Sequence, residues 1–181
     1  MKKIQWLSDA LERIPPNYVV LVEVPAEQAQ DTLLQVLQDM EKRGVAWIIV
    51  NSIRPLPRLL EWYRSHDLSP ENFFFIDIVT KSPSDMSNVE FIGDPSNLFA
   101  LSVALENACA RAPAQSSMAL FDSLNTLLFY NDAKTLIRFV HSSIIKIRLK
   151  NIGAVLFLLK DDDHSSLRAE IAHLCDKMLK I

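Results

Sequence analysis

Glycine is scarce in this chain, with three residues in 181. A loop that cradles a phosphate depends on glycine to bring backbone N–H groups close to the ligand, so such a loop has little material to be built from. Cysteine is nearly as rare. Cys109 and Cys175 form no CxxC and share no spacing with histidine that suits zinc, so they read as reduced thiols of a cytoplasmic protein. No apolar run approaches the roughly 20 residues that a membrane helix needs. The opening stretch, MKKIQWLSDALERIPP, carries charges inside an amphipathic pattern and lacks the apolar core of a signal peptide; it reads as a helical extension over residues 1–16. Positive charge is not in excess either. The formal charge is -3 and the pI about 5.8, which leaves no global basic field to attract nucleic acid or an anionic membrane.

What is present is ordinary globular material, 49% hydrophobic and 23% charged, in a length that suits one domain over residues 1–181. The first clear strand is Tyr18 to Val24, introduced by Pro15 and Pro16 and closed by Pro25. Helical spacing of Leu33, Leu34, Leu37 and Met40 predicts a helix from Asp31 to Arg43, with Gly44 as its C-terminal cap. Val45 to Val50 is apolar throughout, as a strand buried on both faces should be. A helix over Pro57 to His66, a strand over Asn72 to Val79 and a helix from Pro95 to Ala110 follow, and then a strand over Ser117 to Phe121. The longest helix is expected over Lys134 to Lys150, a buried strand over Gly153 to Leu159, a helix over Ser165 to Leu174, and a short strand over Lys177 to Ile181. Strands alternate with helices throughout, so the expected architecture is a mostly parallel sheet with helices on both faces.

The stretch SMALFDSLNTLLFY, Ser117 to Tyr130, resembles the Walker B segment of KaiC-like members of the RecA superfamily. There an apolar strand ends in Asp-Ser-Leu. The resemblance extends through NDAKTLIRFVHSSIIKIRLKNIGAVLFLL, similar to the family's long helix and next strand, and CDKMLKI, similar to its short last strand. It covers residues 17 to 181 and implies a three-layer RecA-like α/β fold. A functional member carries GxxxxGK[ST] after the first strand, whose backbone and lysine hold the phosphates. Here that stretch is Pro25 to Thr32: both glycines are missing, Asp31 stands at the lysine position, and Thr32 alone matches. The family's pair of glutamates, one of them the base toward water, falls on Asn51 and Ser52, neither of which can act as that base. Asp122 keeps the Walker B position, either as residual magnesium ligand or as a carboxylate capping the turn after the strand.

The resemblance thus implies a vestigial nucleotide site of Thr32, Asn51 and Asp122, with no ATP hydrolysis, no cofactor and no metal. Degenerate RecA-like domains, such as the Elongator accessory subunits and KaiC-related sensory domains in archaea, serve as assembly or sensing modules. The leading expectation is therefore a cytoplasmic regulatory or scaffolding domain that associates with a protein partner or with itself. The alternative is a sensor holding a nucleotide or another small ligand weakly at the carboxyl edge of the sheet, and a third reading is an ATPase with an unrecognised phosphate loop.

Other constellations carry bland explanations. Asp161-Asp162-Asp163-His164 precedes a helix, where capping and the helix dipole favour acidic residues; a metal there would need further ligands that no second cluster offers. Lys134, Arg138, Ser142, Lys146 and Lys150 recur every fourth residue and read as a solvated basic stripe, with no interleaved aromatics to stack bases. His66, His141, His164 and His173 show no ligand spacing, and Ser123 lacks a GxSxG elbow. Trp62 and Tyr63, beside Arg58 and Arg64, are expected to bury their rings against the sheet.

Overall fold

The computed structural model describes residues 6, 7, 9–11, 13–15, 17–81, 86–114, 116–160 and 164–181. Seven strands form one sheet: β1 (Val19–Val24), β2 (Ala46–Asn51), β3 (Phe74–Asp77), β4 (Val89–Phe91), β5 (Ser117–Asp122), β6 (Gly153–Leu159) and β7 (Lys177–Lys180). Their order is β4-β3-β2-β5-β6-β1-β7, and each neighbouring pair is parallel. The strands ending at Val24 and Asp122 lie in this one sheet with their carboxyl ends on the same edge.

Parallel strands need crossovers, and the helices supply them: α1 (Ala29–Lys42), α2 (Leu56–Arg64), α3 (Leu98–Arg111), α4 (Leu124–Tyr130), α5 (Ala133–Leu149) and α6 (Ser165–Leu174). Connections moving toward β4 use α1 and α2, and those moving toward β7 use α3 to α6. Opposite directions of travel put the two sets on opposite faces, as the right-handed crossover rule requires.

Side-chain alternation along β1 divides the core accordingly. Val20, Val22 and Val24 pack with Leu33, Val36 and Leu37 of α1 and Leu59 and Tyr63 of α2. Val19 and Leu21 face the other way, toward Leu105 of α3, Ile144 of α5 and Ile171 of α6. Two-sided burial explains why VAWIIV and GAVLFLL read as unbroken apolar runs. The N-terminal extension is more than an appendage. Residues 6, 7 and 9–11 are helical, and the buried Leu7 and Leu11 join the α1–α2 layer.

Local signals set the boundaries. Asp132 caps α5 by accepting from the N–H of Thr135 at 3.0 Å, and Asn97 caps α3 by accepting from that of Ala100. Gly44 ends α1 at φ +77°, the left-handed conformation expected of a C-terminal glycine. Two elements depart from the sequence-based expectations: β4, only three residues and half-buried, and α4, which occupies the apolar run after Asp122. At the far edge, exposed Lys177 and Lys180 on β7 discourage pairing with another strand. Glu23 of β1 is buried, and Arg168 of α6 bonds to it directly, with the Lys180 ammonium 3.7 Å away. No described helix is long and apolar enough to cross a membrane.

Candidate functional site

The carboxyl edge of the sheet is where open α/β folds bind ligands, and the site is built there from strand ends. Asp77, Asn51 and Asp122 close β3, β2 and β5 and stand in one row, Asn51 in register with each of the other two. The Asn51 amide donates to Asp77 Oδ1 at 3.0 Å and to the Arg54 carbonyl at 2.7 Å. Asp77 is fully buried; its Oδ1 also takes the N–H groups of Val79 and Thr80, at 3.0 and 3.3 Å. Asn51 therefore ties the loop after β2 to the end of β3. Ser52 ties the same loop to β5, its hydroxyl donating to the Asp122 carbonyl at 2.6 Å.

Between α1, α2 and this row lies a crevice of about 180 Å³, walled by Ala29, Leu33, Leu59 and Leu159. Asn51, Asp122, Arg54, Gln30 and Trp62 supply its polar and aromatic lining. Asn125 of α4 fixes the Leu159 side by accepting its N–H at 2.7 Å. Burial pushes the Asp122 carboxyl up to about 6, opposed by the positive charge of Arg54. No hydrogen bond or ion pair reaches that carboxylate among the described residues, so it does not cap the turn that follows β5. Helix α4 instead starts at Ser123 without a side-chain cap. The Arg54 guanidinium lies over the Trp62 ring, 5.0 Å from its centroid. Beneath Trp62, Tyr63 is buried as expected, which raises its phenol pKa well above the ordinary value.

The connection that would hold phosphates takes a different form from a phosphate loop. One residue, Pro25, separates β1 from a 3-10 turn over Ala26–Gln28 that runs straight into α1. The Gln28 N–H is spent on the Pro25 carbonyl at 2.9 Å, and that of Ala29 on Ala26. Proline offers no N–H at all. Three residues of this connection turn away from the phosphate site. Thr32 is fully buried in α1, with its hydroxyl unpartnered, and does not line the crevice. Glu27 and Asp31 are solvent-exposed and outside the lining. Of the three sequence-derived site residues, the fold brings Asn51 and Asp122 together and leaves Thr32 out.

Arg54 went unnoticed in the sequence. The signal was its place three residues past a strand end, on the edge that carries ligand-binding loops. Beyond Ile53 a wider, open cleft of about 620 Å³ is lined by Ser52, Lys81, Asp94, Thr126 and Tyr130. The histidines stay outside both clefts; His66 Nδ1 donates to the Trp62 carbonyl at 2.7 Å. Asp161 to Asp163 lie outside the described residues, and among the described residues no cluster of metal-binding side chains occurs. On α5 the basic stripe is largely solvated, as expected, except that Lys146 pairs with Glu106 of α3 at 2.8 Å.

A family model matches residues 16–181 of the sequence. The chain belongs to DUF7504, a family of unknown function. No curated protein matches this DUF7504 chain. Among solved structures it is similar to the uncharacterized protein PH0321 from Pyrococcus horikoshii, crystallised in complex with an unknown peptide, at 13% identity and a TM-score of 0.72, over 98% of this chain and 82% of that one. It is also similar to the RadB recombinase, at 14% identity and a TM-score of 0.58, over 96% and 79% of the two chains. At these identities the likeness concerns the fold: the DUF7504 chain has a three-layer, RecA-like α/β architecture.

Proposed function

We propose that this chain is a non-catalytic, KaiC-like member of the RecA-like group that regulates or scaffolds in the cytoplasm by binding a protein partner or a second copy of itself. The observation that carries this reading is the apolar surface left bare on the helices of one face. Phe99 of α3, Phe129 and Tyr130 of α4 and Leu149 of α5 are 80, 85, 56 and 76% exposed. Asn131, just after α4, donates to the Pro95 carbonyl at 3.1 Å, which ties the end of α4 to the segment leading into α3. Large apolar side chains left this exposed favour a protein contact over solvent. The passage from β1 to α1 through Pro25 and a single 3-10 turn, and an amide and a hydroxyl at the glutamate positions, weigh against ATP turnover. The peptide bound to the P. horikoshii protein is in keeping with a fold that handles polypeptide.

The test is sedimentation velocity at micromolar concentration, together with pull-down from a lysate. The expected result is a dimer, a larger species or a captured partner, lost in a Phe99→Glu/Phe129→Glu variant that keeps its circular dichroism. A monomer that captures nothing, unchanged by the substitutions, contradicts the proposal.

A second reading, a small-ligand sensor, is favoured by the crevice that holds Asn51, Asp122, Arg54 and Trp62. Its volume of about 180 Å³ is below the roughly 300–1,000 Å³ of pockets that enclose drug-sized ligands, so a nucleoside triphosphate is a poor fit.

A further inference from the structure

We infer that the carboxyl-edge crevice binds a small zwitterion, an α-amino acid with an apolar side chain, holding its ammonium at Asp122 and its carboxylate at Arg54. The inference rests on the second reading above, in which this crevice is a ligand site, and is independent of protein association.

Charge narrows the ligand class. Asp122 and Arg54 line the same crevice, yet no ion pair joins them, and neither side chain makes a hydrogen bond among the described residues. A simple cation would meet Asp122 but be repelled by Arg54, and a simple anion would suffer the reverse. A neutral apolar molecule would cover both charges and leave them unpaired, at a desolvation cost. A zwitterion meets both and enters with no net charge. The guanidinium fork suits a carboxylate, which it can engage through two parallel N–H groups while its face rests on Trp62. An ammonium supplies donors to a carboxylate that burial has left without any.

Shape and polarity narrow it further. Away from those two charges the walls are mainly aliphatic, Ala29, Leu33, Leu59 and Leu159; of the other polar groups, the Asn51 amide is taken by Asp77 and the Arg54 carbonyl, and Gln30 sits at the solvent-exposed rim. The small volume suits a nucleotide poorly, and Ala26 and Ala29 stand where a phosphate would need bare backbone. The fixed parts of the site are braced from behind. Asn51 is held by Asp77 and the Arg54 carbonyl, so the loop that presents Arg54 is positioned before any ligand arrives.

The test is a titration of the intact chain followed through the Trp62 indole N–H resonance, assigned by its absence in Trp62→Phe. The probes are L-valine, L-leucine, L-isoleucine, L-methionine and L-phenylalanine, each to its solubility limit. Two controls, 3-methylbutylamine and 4-methylpentanoate, each keep one charge of leucine. At least one amino acid should saturate with a dissociation constant of about 1 mM or tighter, and both controls should bind at least about tenfold more weakly. Asp122→Asn and Arg54→Met, each folded by circular dichroism, should both weaken the amino acid by a similar factor. If the amine binds as tightly as the amino acid, the crevice is a cation site and the zwitterion inference falls while the small-ligand reading stands. If no probe moves the Trp62 resonance, both fall.

Discussion

Replacing Asp122 by asparagine should stabilise the protein at neutral and alkaline pH. The carboxyl titrates at about 6 in the folded chain against an ordinary value of 3.8, because its surroundings disfavour the charged form. Each pH unit of difference is worth about 1.36 kcal/mol, so ionising Asp122 costs the folded state up to about 3 kcal/mol. The side chain lines a crevice that water reaches, and screening lowers the expected figure to about 1.5–3 kcal/mol. The sign follows from proton linkage. Between 3.8 and 6 the native state holds a proton that the unfolded chain releases, so this contribution is fully present below 3.8 and is lost as pH rises through 6. Asparagine has nothing to ionise and escapes the loss. Urea unfolding of wild type and Asp122→Asn at pH 8 should show the variant more stable by that amount, with the difference shrinking toward zero at about pH 3.5. A variant equally stable or less stable at pH 8 would show that the carboxylate is satisfied by partners, and would refute the electrostatic description of the crevice.

Two buried polar ties should prove costly to cut. Asn51→Leu removes the amide between Asp77 and the Arg54 carbonyl, and should destabilise by about 2–4 kcal/mol in urea titrations because Asp77 stays buried with less compensation. Arg168→Leu strips the direct partner from the buried Glu23; with Lys180 still 3.7 Å away, a loss of about 2–3 kcal/mol is expected, read as a lower midpoint in the same assay.

Much of the fold was legible because two-sided burial leaves long apolar runs. Gly153–Leu159 and Ser165–Leu174 fall where periodicity and flanking residues put them. Strand β4 escaped notice because three half-buried residues at a sheet edge carry neither an apolar run nor a clear alternation. Helix α4 was hidden by the composition of LNTLLFY, which continues the apolar character of the strand before it and has no side-chain cap to mark the change. The candidate site was legible where strand ends fix it, at Asn51 and Asp122. It was illegible at Thr32, which falls on the buried face of α1 with Leu33, Val36 and Leu37 and so turns into the core. The partnership of Arg54 with Trp62 joins a loop to a helix eight positions on, and only their packing brings it about.

The claim that this RecA-like domain does not turn over ATP is tested most directly by calorimetric titration with Mg-ATP, run alongside a phosphate-release assay on wild type and Asp122→Ala. With Pro25 alone between β1 and its helix turn, and with the Gln28 and Ala29 N–H groups already bonded within the turn, no saturable heat in the micromolar range and no phosphate release are predicted. A dissociation constant in the micromolar range or tighter, or turnover that Asp122→Ala abolishes, would contradict it.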